Sequence, residues 1–214
     1  MDTDHRVDVT QRPAMLSLVW DAANLCTLLG LACSVTGIYL AGRRMALAAI
    51  VADLWAVLCD WWDGAIAERS RGRAVEFKRF GGQLDSLADL VSGGICPAAI
   101  LLSVGDFRLA FLPGALALAA AGAIRLAYYN VYGLDQKAHF TGLPLVHNVP
   151  VLAVVFLAQP LLGPNVFSTV VYGVLLALCG INTSPMPFPR FPGIGIYVFT
   201  ASVVVLSLVF FSRL

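Results

Sequence analysis

Asp60-Trp61-Trp62-Asp63-Gly64-Ala65-Ile66-Ala67 and, after a basic connector, Gly81-Gly82-Gln83-Leu84-Asp85-Ser86-Leu87-Ala88-Asp89 are the stretches on which the reading of this chain turns. They put four carboxylates into thirty residues of a 214-residue chain that is 59% hydrophobic and only 13% charged. At about 100° per residue, Asp60, Asp63, Gly64 and Ala67 fall on one face of a helix, and Gly81, Asp85 and Asp89 fall on one face of another. A helical hairpin would bring the two acidic faces together.

The solvent for those acids is lipid as much as water. Mean hydropathy is +0.81, and apolar runs of about 18 to 23 residues recur, the length a membrane-crossing helix needs. The expected spans run from Asn24 to Ala41, Met45 to Trp62, Gly82 to Val104, Leu109 to Ala127, Pro144 to Leu162, Val166 to Ile181 and Gly193 to Phe211. The fold class is therefore all-α, a polytopic membrane bundle of about six to eight transmembrane helices. Residues 1–20 are polar and then mildly amphipathic, with Met15, Leu16, Leu18, Val19 and Trp20 suiting an interfacial helix. Residues 21–214 read as a single transmembrane domain, with no internal repeat. The alanine- and glycine-rich fourth span suits close helix contact. Cys26, Cys33, Cys59, Cys96 and Cys179 lie in or near apolar runs without metal or redox spacing, so they are expected reduced.

The basic residues orient the chain. On the side of the connector from Glu68 to Phe80 fall Arg6, Arg12, Arg69, Arg71, Arg73, Lys78, Arg79, Arg125, Lys137 and Arg190, against Arg43, Arg44, Arg108 and Arg213 on the other. The excess predicts that the acidic stripes face the cytoplasm. No nucleic-acid partner is expected.

Lone intramembrane acids cost about 2.5 to 3.5 kcal/mol each on insertion scales, less near the interface. Four close together also repel one another unless cations sit between them. Mg²⁺ or Mn²⁺ suits them, because hard ions take carboxylate oxygens together with substrate phosphates. Gly64, Ala67 and Gly81 would leave room on the same faces for a bulky ligand. Acids that merely cap helix ends would not need two coherent stripes. A cation transporter is the reading from another class; the acids, however, sit at one membrane face, and only Asp53, on nearly the same face as Asp60, lies deeper.

Asp60-x2-Asp63-Gly64-x2-Ala67 followed by Gly81-x3-Asp85-x3-Asp89 resembles the signature of the CDP-alcohol phosphatidyltransferases. The run from Phe80 to Ser92, Arg125-Leu-Ala-Tyr-Tyr-Asn130, Phe140-Thr-Gly-Leu-Pro144 and Pro187-Phe-Pro-Arg-Phe191 resemble its phosphatidylserine synthase branch, over roughly residues 20 to 192. The resemblance implies an enzyme that moves the phosphatidyl group of CDP-diacylglycerol to L-serine or another small alcohol, with CMP released. It implies two divalent ions held by Asp60, Asp63, Asp85 and Asp89, with Asp89 as the base, and a homodimer in the membrane. Glu68 stands where the pattern has arginine after Ala67, and the connector is four residues longer than the pattern's; Arg69 or Arg71 is expected to supply the phosphate contact. Asn24 resembles the family's asparagine ahead of the Thr27-Leu28 run, which implies a nucleotide contact; helix capping is the other reading. Arg125 is a candidate for the serine carboxylate, with Asn130, Thr141 and Asn148 as polar neighbours. His147 departs from the serine-specific pattern, which leaves the acceptor open.

Overall fold

The computed structural model describes residues 13–70, 72–135, 139–189 and 195–214. Arg6, Arg12, Arg71, Lys137 and Arg190 lie outside the described residues.

The first helices, α1 (Ala22–Gly42) and α2 (Ala46–Arg69), form an antiparallel hairpin. Small residues allow it. A Cβ on Gly30 would stand 3.1 Å from the Ala56 carbonyl oxygen, and one on Gly37 would stand 2.8 Å from Cys96 Sγ and 3.1 Å from the Ala49 carbonyl oxygen. Inside lipid, where apolar side chains gain little from leaving their solvent, such close backbone approach is what holds helices together. It also lets Ser34 Oγ on α1 donate to Asp53 Oδ1 on α2 at 2.9 Å. All five cysteines are free.

The third helix corrects the expected connector. α3 (Val75–Leu90) starts well before Gly82, and α2 runs on to Arg69, past the expected end at Trp62, so only Ser70 to Ala74 link the two. Phe77, Phe80 and Leu84 recur at helical spacing and are half-buried, while Glu76, Lys78 and Arg79 are exposed. An apolar stripe under a charged face is enough to carry the helix into the basic stretch. Beyond Leu90 the helix continues as a π segment, Val91–Ile95, and then α4 (Cys96–Val104).

The chain then forms α5 (Leu112–Tyr132), α6 (Asn148–Leu157), α7 (Pro164–Asn182) and α8 (Gly195–Phe211). The expected fifth span is broken into a 3₁₀ turn, the short α6 and a second 3₁₀ turn, with Pro150 in the first turn of α6 and Pro160 past its end. Proline is tolerated at those two places and not between them. On the N-terminal side of α1, the expected interfacial helix is a 3₁₀ turn, Met15–Val19, with Met15, Leu16 and Trp20 exposed. Among the described residues the sheet structure is one ribbon, β1 (Phe140–Thr141) paired antiparallel with β2 (Pro187–Phe188).

α2 is the central helix, packed by α1, α4, α6 and α8, while α5 lies against α4 and α7. Ile50, Leu54 and Val57 of α2 meet Ile100 and Leu101 of α4, Val149, Leu152 and Phe156 of α6, and Phe210 of α8 in one core. Gly114 of α5 sits against the Tyr172 ring, where a Cβ would come within 2.8 Å, in keeping with the small-residue fourth span. Among the described residues four helical stretches are long and apolar enough to cross a membrane: Ala22–Gly42, Val75–Val104, Leu109–Tyr132 and Pro164–Asn182. Leu145–Leu161 and Gly195–Phe211 are shorter apolar stretches. α2 is 24 residues long but carries Asp53, Asp60 and Asp63. This is an all-α polytopic membrane bundle. At the end away from the acids, Arg44 Nη1 pairs with Asp106 Oδ1 at 2.5 Å and ties the α1–α2 turn to the turn after α4.

Candidate active site

The last turns of α2 and of α3 bring Asp60, Asp85 and Asp89 together, each with a carboxylate oxygen within 4.8 Å of the others. All three are half-buried. Asp63 is set slightly apart. It is 5% exposed, and its Oδ2 accepts a very short hydrogen bond from Thr27 Oγ1 of α1. Asp60, Asp63 and Asp89 nonetheless line one small pocket together with Thr27 and Ser92. The donor set is carboxylate oxygen throughout, which fits a hard divalent cation and not a thiolate-seeking one.

Outward from the acids opens a cleft of about 590 Å³. One wall carries Asp60, Asp63, Asp85 and Asp89. Gly64 lies beside them and a Cβ there would meet nothing within 4 Å, so the face is open at that point. Glu68 and Arg69 form the rim at the end of α2. The facing wall is Arg125 and Tyr129 of α5, Phe140 of β1, and Pro144, Val146 and His147 from the turn before α6.

Arg125 is 6% exposed, and its guanidinium carbon lies 5.5 Å from the Tyr129 ring centroid and 5.7 Å from that of Phe140. Its buried Nε makes no hydrogen bond among the described residues. Two aromatic faces hold the cation by attraction to their π electrons, and Arg125 lines the cleft. Phe140 is delivered by the ribbon, where it pairs with Phe188. The chain bends out of the ribbon at Gly142, with φ +73°, whose N–H donates to the Met186 carbonyl at 2.9 Å. A side chain there would run into the Asn182 carbonyl oxygen, so only glycine fits both the conformation and the space.

Other residues singled out from the sequence take different places. Gly81 does not face open space: Asn24 Oδ1 and Arg73 Nη2 occupy the volume a Cβ would need, at 2.5 and 2.8 Å. Asn24 does not cap α1; Asp21 does, its carboxylate accepting from the Asn24 N–H at 3.4 Å. Ala67 is half-buried and lies outside the residues lining the cleft. Asn130 is exposed and accepts from Ser86 Oγ at 3.0 Å, joining α5 to α3. Thr141 is half-buried on the ribbon, and neither it nor Asn130 lines the cleft. Asn148 is buried and donates through Nδ2 to the Gly93 carbonyl at 2.9 Å, bracing the π segment that follows Asp89. Asp53 is fully buried beside Ser34, away from the cleft.

Thr27, Arg73, Tyr129, Phe140 and the placement of His147 escaped the sequence reading. Thr27, Arg73 and Phe140 meet their partners across large gaps in sequence, which helical periodicity does not report. Two signals were available: Tyr129 four residues after Arg125 on one helix face, and Phe140 within the Phe-Thr-Gly-Leu-Pro stretch.

The bundle and its site define a helical membrane protein with a carboxylate cluster opening into a cleft at one end. The chain belongs to the CDP-alcohol phosphatidyltransferase family, whose sequence model matches residues 20–185. It is 35% identical over 150 residues to an archaetidylserine synthase of Methanothermobacter thermautotrophicus, covering 69% of this chain and 60% of that protein. It is 31% identical over 147 residues to a CDP-diacylglycerol–serine O-phosphatidyltransferase of Methanocaldococcus jannaschii, covering 68% and 66%. A protein of the same name from Saccharomyces cerevisiae is 38% identical over 95 residues, 40% of this chain and 33% of the relative. The chain thus spans about 60 to 66% of the length of the first two.

Proposed function

We propose that this protein transfers the phosphatidyl group of CDP-diacylglycerol to the hydroxyl of L-serine and releases CMP. The observation that carries the reading is the two-walled cleft, with carboxylates on one side and a buried arginine held between two rings on the other. All three relatives are named for serine products or serine transfer, whereas their lipid names differ. The acceptor is therefore the better supported half of the assignment.

Asp60, Asp63, Asp85 and Asp89 would hold two divalent ions, Mg²⁺ or Mn²⁺, which supply charge neutralisation for the pyrophosphate and the departing CMP. Arg125 receives the serine carboxylate through its paired donors, so that the hydroxyl points across the cleft to the acid wall. Asp89 takes the hydroxyl proton. The serine oxygen bonds to the phosphorus that carries diacylglycerol, and the bond from that phosphorus to the bridging oxygen breaks, leaving CMP. Gly64 gives the nucleotide side its open approach, and Arg69 or Arg71 meets its phosphates. Asn24 and Gly81 belong to the nucleotide end through their shared contact, and Asn130 and Thr141 flank the acceptor end. The site faces the cytoplasm, residues 21–214 act as one catalytic domain, and the protein works as a homodimer among membrane lipids.

The purified protein in detergent or nanodiscs, given CDP-diacylglycerol and Mn²⁺ or Mg²⁺, is expected to release CMP only when serine is added. A panel of serine, glycerol phosphate, inositol, inositol phosphate and choline reads the acceptor directly. Equal release with all of them, or release with inositol phosphate alone, would overturn the serine assignment.

A further inference from the structure

Arg73 lies in the short loop between α2 and α3, where an arginine ordinarily extends into water, yet its side chain is only 8% exposed. Its Nη2 stands 2.5 Å from Asp21 Oδ2 and donates to Asn24 Oδ1 at 2.7 Å. Both partners belong to the entry of α1: Asp21 caps that helix, and Asn24 also donates through Nδ2 to the Leu18 carbonyl at 2.7 Å in the preceding 3₁₀ turn. The guanidinium and the Asn24 oxygen fill the space beside Gly81 on α3. One side chain thus fastens the start of α1 to the start of α3. One helical turn beyond Asn24, on the same side of α1, Thr27 donates to Asp63, and Thr27 is buried.

We propose that Arg73 is a positioning residue for the cation site: by fixing the entry of α1 it holds Thr27 in place, and Thr27 sets the orientation of the Asp63 carboxylate. This rests on the reading of the acid wall as the divalent-ion site. The physical ground is that a hydrogen-bonded neighbour fixes the rotamer of a metal ligand, and that loss of such a neighbour costs metal affinity even with every ligand intact. Asp63 takes its side-chain hydrogen bond from α1, a helix outside the α2–α3 pair that carries the four acids, and that helix must itself be held.

Mn²⁺ binding to the full chain in nanodiscs, followed by the electron paramagnetic resonance signal of the free ion, tests this without turnover. R73Q and T27V are each expected to weaken Mn²⁺ binding about tenfold, the low end of losses seen for residues that orient metal ligands. R73K, which keeps a charged donor, is expected to retain most of the affinity. D21N still caps α1, since asparagine caps as well as aspartate, and is expected to weaken binding in the same direction as R73Q; it serves if R73Q does not fold. Because the two residues act along one route, R73Q/T27V should bind about as well as the weaker single variant. Wild-type affinity in both R73Q and D21N would overturn the proposal, as would losses that multiply in the double variant. So would an R73Q protein that binds Mn²⁺ normally but loses affinity for a cytidine diphosphate ester, which would place Arg73 on the nucleotide. Failure of the wild-type chain to bind Mn²⁺ would instead overturn the cation-site reading itself, and this proposal with it.

Discussion

The two walls of the cleft are built on different principles. The acid wall comes from two neighbouring helices, and its members recur at helical spacing within thirty residues. The opposite wall draws Arg125 and Tyr129 from α5, Phe140 from a ribbon whose other strand begins at Pro187, and His147 from the turn before α6. The first wall is local and periodic. The second exists only once distant segments have met, so its geometry depends on supports such as the Gly142 bend. In the proposed function the chemistry is assigned to the wall built from two neighbouring helices, and recognition of the acceptor to the wall assembled from distant segments.

The largest effect should come from the acid wall. Asp89→Asn is expected to lower turnover by about a thousandfold or more, since it removes both a proton acceptor and a ligand. Circular dichroism should be unchanged, and near-normal CMP release in that variant would break the assigned division of labour. On the other wall, Arg125→Ala is expected to raise the serine KM by about 30-fold, the equivalent of ~2 kcal/mol for a charged hydrogen-bonded contact. Arg125→Lys should recover little, because a lysine lacks the paired donors; full recovery would mean that only the charge matters. Phe140→Leu should be milder. It loses one of two cation–aromatic contacts, about 0.5 to 1 kcal/mol, and so raises the serine KM by roughly two- to fivefold. The smallest effect is expected deep in the bundle. Asp53→Asn keeps an oxygen for Ser34 Oγ, so turnover should stay within about twofold of the parent and stability should shift by about 1 kcal/mol or less. A much larger loss of turnover would extend the acid wall to a residue that does not line it.

That contrast also explains what could be read from the sequence. Membrane-length apolar runs and the two acidic stripes survive as α1, α2, α3 and the Asp60–Asp85–Asp89 group, because helix length and 100° periodicity are local properties. The boundary between α2 and α3 was harder. Arginines in the connector signalled water, but Phe77 and Phe80 beneath them had enough apolar surface to extend α3 back to Val75. Gly81 was legible as a place requiring a small residue, but what filled the space, Arg73 and Asn24, came from two other elements. Asn148 was legible only as a polar residue, and its buried bond to Gly93 required the π segment to exist first.

The π segment at Val91–Ile95 divides one continuous rod into two parts with separate rotational settings. Widening the hydrogen-bond ring by one residue shifts everything beyond it by about 100° relative to an unbroken α-helix. α3 can therefore aim Asp85 and Asp89 at α2 while α4 turns Ile100 and Leu101 into the core, with neither half dictating the other's phase. The segment sets a fixed phase offset between the carboxylate-bearing end and the core-packed end of the same helix. Removing one residue from it would couple them again, forcing either the carboxylates off the cleft or the apolar stripe out of the core.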